Sequence, residues 1–71
     1  MVMFKITLRW IVASPRGRRY SFRYRTVLVT SADSILVARG VALGLYPDGE
    51  VIDIYSVTPE FISKFPADES I

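Results

Sequence analysis

Arginine and aromatic residues alternate over a ten-residue segment in the N-terminal half of the chain. Residues 16–25 read RGRRYSFRYR, in which five arginines are interleaved with Tyr20, Phe22 and Tyr24. Guanidinium groups neutralise phosphates and aromatic rings stack on bases, the usual combination for binding single strands and RNA loops. The predicted contact residues for a protein or nucleic-acid partner are Lys5, Arg9, Arg16, Arg18, Arg19, Tyr20, Arg23 and Arg25.

A structural role competes with binding for the three aromatic rings. If Val12 pairs with Tyr20 across a hairpin, Phe22 and Tyr24 lie on the same side of the sheet as Trp10. We favour this interpretation, which makes the rings core residues. The arginines fit a core less well, because arginine is almost never fully buried without a partner. A hairpin whose arginines only improve solubility is an equally good alternative.

The charges of the chain are separated along its length. The 71 residues carry 9 Lys and Arg against 7 Asp and Glu, a net charge of +2. Residues 1–30 hold seven basic residues and no acid, whereas residues 31–71 hold two basic residues and all seven acids. The two parts therefore carry +7 and −5. This asymmetry indicates either an anionic partner for the basic part or two parts that neutralise each other in the fold.

Composition argues against catalysis. With no Cys and no His, the chain lacks a thiolate nucleophile, cysteine or histidine metal ligands and the commonest general base. Ser31 and Ser34 have no histidine to activate them, and Asp48 with Glu50 is better explained as solvation of a turn. We expect no enzyme activity, no cofactor and no metal.

Two strands should present the basic segment. Residues 3–12 alternate apolar and polar side chains, which predicts a half-buried strand, and residues 19–30 predict a second. Pro15 and Gly17 indicate a hairpin loop between them.

The register predicted above places Trp10 opposite Phe22 and fills one face with apolar side chains. It also places Arg9 directly opposite Arg23, which is unfavourable unless Asp53, a bound anion or a bulge in the second strand relieves it. A bulge near Arg25 or Thr26 would also turn Val27 and Val29 toward the helix. The open face then holds Lys5, Arg9, Arg23, Arg25, Asp53 and Tyr55.

The rest of the chain predicts a helix, a strand and a short helical tail. Within residues 31–46, Ser31 and Asp33 are candidate N-caps of the helix, although its glycines and β-branched residues leave two short strands as an alternative. Residues 51–58 predict the strand, and Thr58 can cap the tail helix. We expect one α+β domain, residues 1–71, with the element order ββαβ and a short C-terminal helix. The three strands should form a sheet in the order 2-1-3, with the first helix on one face. The crossover through this helix to a third strand parallel to the second should be right-handed.

The helix itself is apolar on nearly every side. If Ala38 and Ala42 face the sheet, Leu36 and Leu43 point outward, where only the tail or a partner could cover them. Leu36, Arg39 and Leu43 therefore form a predicted oligomer or partner interface, in a homodimer or a hetero-complex.

No segment predicts a membrane anchor. The apolar run of residues 35–46 has 12 residues, fewer than the roughly 20 that span a bilayer. Residues 1–13 are apolar, but Lys5 and Arg9 interrupt them and no small-residue cleavage site follows, so no signal peptide is predicted. We expect a cytoplasmic protein without a membrane partner.

The order of elements resembles that of several compact ββαβ proteins. The features shared are a basic hairpin, a strand that runs into an S-x-D-capped helix in TVLVTSADSILVARG, and a D-G turn before a V-I-x-I strand in PDGEVIDIY. The similar proteins include the archaeal and eukaryotic ribosomal LX family and small phage-encoded anti-CRISPR proteins. The phage resemblance implies a stoichiometric inhibitor that occupies a nucleic-acid channel or a protein surface.

Two functions follow as hypotheses. The first is a noncatalytic interaction or inhibitor protein that uses the basic hairpin and the apolar helix. The second is direct binding of RNA or single-stranded DNA by the hairpin.

Overall fold

The computed structural model describes residues 2–14, 16–17 and 19–71. Among these residues, four strands form one sheet in the order β3-β1-β2-β4, and two helices pack against it. In chain order the elements are β1 (Met3–Ala13), β2 (Tyr20–Val29), α1 (Ile35–Leu45), β3 (Glu50–Val57), α2 (Pro59–Lys64) and β4 (Glu69–Ser70). The fold is α+β, as predicted, but the expected three-stranded sheet is wrong because β4 adds a fourth strand.

The core lies between α1 and one face of the sheet. Phe4, Ile6 and Leu8 alternate along β1 and are buried, as are Val27 and Val29 of β2. Ala38 and Ala42 of α1 complete this layer. The small alanine side chains let this 11-residue helix approach the sheet closely.

The ends of α1 are fixed locally. Ser34 is the N-cap, and its side-chain oxygen accepts a hydrogen bond from the backbone N–H of Val37. The prediction of Ser31 or Asp33 as cap is wrong, and so is the alternative of two short strands. After Tyr46 the chain turns toward β3 through a backbone bond from Gly49 N to Tyr46 O, where a Cβ on Gly49 would lie only 3.1 Å from that oxygen.

The register of the hairpin differs by one residue from the predicted register. Ala13 pairs with Tyr20, Trp10 with Arg23 and Ile6 with Val27. Because side chains alternate across a strand, this shift moves every β2 side chain to the opposite face. The reason is that Val27 and Val29 are buried against α1, which the predicted register allowed only with a bulge near Arg25 or Thr26.

The one-residue shift also removes the predicted electrostatic conflict. Arg9 lies opposite Tyr24, not Arg23, so no bulge in β2 is needed. The irregularity lies instead between Thr7 and Leu8, where β3 pairs with β1.

The C-terminal segment crosses the face that α1 leaves open. β3 is antiparallel to β1, hence parallel to β2, and the predicted order of these three strands is confirmed. Thr58 caps α2 and Pro59 occupies its first turn, as predicted. The chain then reaches the far edge, where β4 pairs in parallel with Val27 and Leu28.

Neither α1 nor α2 is long and apolar enough to cross a membrane, and no other helix occurs in the described part of the chain.

Candidate functional site

Three aromatic rings of β2 are exposed on the face of the sheet opposite α1. Tyr20 is 77% exposed, Phe22 50% and Tyr24 58%. Their placement in the core, which the sequence favoured, is therefore wrong. Ile11 of β1 lies opposite Phe22 and is also exposed. We call Arg9, Ile11, Tyr20, Phe22 and Tyr24 the aromatic face.

Arg9 is held in place on the aromatic face. Its guanidinium donates a hydrogen bond to the Glu50 carboxylate at 2.8 Å and lies 4.7 Å from the centroid of the Phe22 ring. The hydrogen bond to Glu50 is the main reason that the pKa of Arg9 is raised. Arg9 therefore orders the central ring of the row, while Glu50 offsets part of its charge.

Two arginines lie at the hairpin end of this surface, and a third projects from the same strand on the opposite side of the sheet. Arg16, Arg19 and Arg23 are exposed, and none forms an ion pair within the described residues. Arg16 and Arg19 flank the turn of the hairpin, where Gly17 adopts a φ of +86° that favours glycine. Arg23 lies on the α1 side, opposite Trp10. The predicted contact residue Arg18 lies outside the described residues.

Arg25 serves the fold and not the aromatic face. It points to the α1 side, where its guanidinium lies 3.5 Å from the Glu69 carboxylate and 5.8 Å from the centroid of the Tyr46 ring. The Tyr46 hydroxyl donates to the same carboxylate, and the Tyr46 ring stacks on Trp10 at 6.0 Å. The prediction that Arg23 and Arg25 lie on the open face is wrong, because both lie on the α1 side of the sheet.

Lys5 is occupied within the fold. It is only 9% exposed, its ammonium donates to the carbonyl oxygen of Phe65 at 3.0 Å, and it lies 5.6 Å from the centre of the Phe61 ring. The Phe61 ring in turn packs edge-on against Tyr55. The segment that includes α2 therefore covers the part of the open face around Lys5. Lys5 is thus not a contact residue on the surface.

Asp68 marks the boundary between the closed and the open parts of this face. Its carboxylate accepts hydrogen bonds from the backbone N–H of Thr26 at 2.7 Å and from the Thr26 hydroxyl at 3.0 Å. These two bonds are the main reason that the pKa of Asp68 is lowered. Thr26 is the next residue of β2 on the same face after Tyr24, so a fixed negative charge ends the row of rings.

Only part of the second predicted interface, on α1, is exposed. Leu36 is 80% exposed, and Arg39 is exposed beside it. Leu43 is half-buried and packs against the core, so it does not share their exposure. An open groove of about 370 Å³ runs between Ile35, Leu36 and Arg39 on α1 and residues 51–54 on β3.

Sequence reasoning included Tyr20 among the contact residues but missed Phe22, Tyr24 and Ile11. One signal could have found them. Val27 and Val29 have odd numbers, and a straight strand that buries both must turn its even-numbered residues to the other face. The predicted register instead places the aromatic residues of β2 on the core face with Trp10.

No protein-family model matches this chain, and neither a curated protein nor a solved structure matches it. The functional conclusion therefore depends on the exposed surface of the hairpin.

Proposed function

We propose that this chain is a noncatalytic module that binds single-stranded nucleic acid, RNA or DNA, through the aromatic face. The observation that carries the proposal is the row of three exposed rings on alternate residues of one strand. Each ring offers a flat surface on which any base can stack. The proposal places this binding in the cytoplasm and requires no cofactor.

The exposure of these rings supports a binding role over a purely structural one. Large aromatic side chains contribute most to stability when they are buried, and a contiguous exposed apolar patch commonly marks an interaction site. A surface that only needs to be soluble would carry polar side chains, not the rings of Tyr20, Phe22 and Tyr24. Their exposure reverses the order of the two sequence hypotheses.

The charges around the rings favour an anionic ligand. The hairpin from Trp10 to Thr30 contains no acid, and Arg16, Arg19 and Arg23 have no ion pair within the described residues. Arginine meets phosphate with a planar, charge-assisted pair of hydrogen bonds. Rings that hold bases and arginines that hold phosphates would together bind a strand with little sequence preference.

The proposal is tested by fluorescence anisotropy with labelled U12 and dT12 at several salt concentrations. We expect the logarithm of affinity to fall linearly with the logarithm of salt, with a slope near −2 if about three phosphates are neutralised. Arg19→Ser should weaken binding and make the slope shallower. Arg39→Ser removes the same charge from α1 and should change neither. Absence of binding to both oligonucleotides at low salt would contradict the proposal.

The exposure of Leu36 supports a second candidate function, contact with a protein partner through α1. This retains the sequence hypothesis of an interaction or inhibitor protein, in a homodimer or a hetero-complex. α2 contacts the face opposite α1, so it does not cover Leu36. Such a contact and the aromatic face lie on opposite sides of the sheet, and the two functions are compatible.

A further inference from the structure

Resting on the proposed function, we infer that the aromatic face binds an extended, unstacked strand and holds three consecutive bases, one for each ring. The inference names a ligand class, a flexible single strand without base stacking, and a site size. Three features of the surface carry it: the spacing of the rings, the closure of the row at Thr26, and the contact of Arg9 with Phe22.

The spacing of the rings excludes a stacked strand. Tyr20, Phe22 and Tyr24 are alternate residues of a strand, so neighbouring rings repeat every 6.8 Å or so. Stacked bases repeat at about half that distance, roughly 3.4 Å. A strand that places successive bases on successive rings must therefore be stretched until its bases separate. The same repeat applies whether a base lies flat on a ring or enters the gap between two rings.

The row of rings ends at Thr26. The position after Tyr24 on this face is Thr26, whose hydroxyl is bonded to the Asp68 carboxylate. After Thr26 comes Leu28, which is buried. These positions of β2 offer a fourth nucleotide no ring and no cation, and its phosphate would approach the Asp68 carboxylate. At the other end of the row lies the hairpin turn, which ends directly before Tyr20.

The central ring, Phe22, is held in place before a ligand binds. Arg9 lies over Phe22 and is itself bonded to Glu50, so the ring is supported from the neighbouring strand. Half of the Phe22 surface remains exposed for a base. Ordering a ring in advance lowers the entropy lost on binding, which favours Phe22 as the strongest of the three platforms.

The ligand class follows from the cost of separating bases. A strand whose bases stack strongly on one another, such as oligo(dA), must lose that stacking before it can use the rings. Oligo(dT) and oligo(U) lose little. A duplex cannot present its bases to the surface at all. We therefore expect binding in the order dT above dA above duplex at equal length and salt.

Calorimetry with oligonucleotides of increasing length tests the site size. From dT2 to dT3 we expect a steep rise in affinity, and from dT4 to dT8 only the gradual rise that additional binding frames produce. A steep rise that continues beyond dT4 would overturn the three-base site. Failure of dT12 to bind would instead contradict the proposed function itself.

An abasic oligonucleotide separates stacking from charge. An abasic trimer with the same phosphates as dT3 should bind at least about tenfold more weakly, since stacking contributes about 1–3 kcal/mol per base. Equal binding of the two trimers would show that phosphates alone are held and would overturn the inference, while leaving nucleic-acid binding intact.

A matched pair of variants assigns the effect to the row. Phe22→Leu should reduce the affinity for dT3 about tenfold or more and remove most of the difference between dT3 and the abasic trimer. Phe65→Leu changes a ring of similar exposure, 56% against 50%, outside the aromatic face and should leave both affinities unchanged. Equal effects of the two substitutions would place binding elsewhere. Circular dichroism of each variant verifies that the fold is retained.

Discussion

Glu69 connects β4 to two side chains on the α1 side of the sheet. Its carboxylate accepts from the Tyr46 hydroxyl and pairs with Arg25, and the hydrogen bond from Tyr46 is the larger cause of its lowered pKa. Asp68, one residue earlier, has a pKa lowered by its bonds to Thr26. Besides its backbone hydrogen bonds to β2, this two-residue strand is thus held by two ionised carboxylates.

These carboxylates make the stability of the fold sensitive to acid. A carboxylate whose folded pKa is lowered stabilises the fold above its unfolded pKa, near 4, and loses that contribution as the pH falls through the folded value. We expect the melting temperature to be steady from pH 7 to pH 5 and to fall below that. Glu69→Gln should lower the melting temperature at pH 7 and flatten the decrease toward pH 3.

Glu60→Gln is the control for this measurement. Glu60 forms no ion pair and no side-chain hydrogen bond within the described residues, so the variant should follow the pH dependence of the parent. Identical acid sensitivity of the parent and Glu69→Gln would show that Glu69 does not couple β4 to the fold.

The register of the hairpin is the element-scale feature that determines the site. Val27 is fully buried and Tyr24 is exposed, whereas the register predicted from the sequence gives the reverse. Val27→Ala should lower the free energy of unfolding by about 2 kcal/mol, because it removes buried methyl groups and leaves a cavity. Tyr24→Ala should change it by no more than about 0.5 kcal/mol. Urea unfolding of both variants measures the difference, and a larger loss for Tyr24→Ala would restore the predicted register.

α1 offers a separate prediction, because two of its leucines have different surroundings. If Leu36 contacts a second copy of the chain, Leu36→Lys should convert a dimer into a monomer while the domain stays folded. Leu43→Lys should destabilise the domain, since Leu43 packs against the core. Sedimentation velocity over a wide concentration range, with circular dichroism, separates the two effects. A parent chain that remains monomeric at high concentration would contradict self-association through α1.

Much of the fold follows from local sequence signals. Alternation in β1, the Thr58–Pro59 start of α2 and the apolar run of α1 each depend on neighbours in the chain, and each element was predicted. The register and β4 depend on residues far apart: Val27 is buried against α1, and β4 is joined to the sheet by backbone pairing with β2 and by side-chain bonds of Asp68 and Glu69 to Thr26 and Tyr46. The aromatic face could not be located until the register was known.

The whole molecule is elongated, with its backbone extending over 46 × 25 × 16 Å. The hairpin supplies this length, since an 11-residue strand spans roughly 37 Å. Residues 20–24 are all exposed. Arg16, Arg19 and Arg23 therefore lie toward one end, whereas the acids of residues 48–69 lie on β3, the C-terminal segment and the adjoining turn. The separation of charge along the sequence becomes a separation in space.

This arrangement predicts that the basic end contributes to binding but little to stability. Replacing Arg16, Arg19 and Arg23 together by Ser should leave the melting temperature nearly unchanged, because exposed charges contribute little to stability. The same variant should bind dT12 at least about tenfold more weakly at physiological salt. Differential scanning calorimetry and anisotropy provide the two measurements. Unchanged affinity would show that this end of the hairpin is only a solvated surface.

The covering of Lys5 by the C-terminal segment has a consequence for dynamics. The chain contains two lysines, of which Lys64 is exposed and Lys5 lies beneath Phe61 and Phe65. An amine-selective acylating reagent should modify Lys64 at the rate of a free amine, but Lys5 only during moments when α2 detaches from the sheet. The Lys5 rate divided by the Lys64 rate measures how often the C-terminal segment opens locally. This ratio should rise as acid weakens the attachment of β4. Acylation of the buried Lys5 amine thus reports local opening of the C-terminal segment.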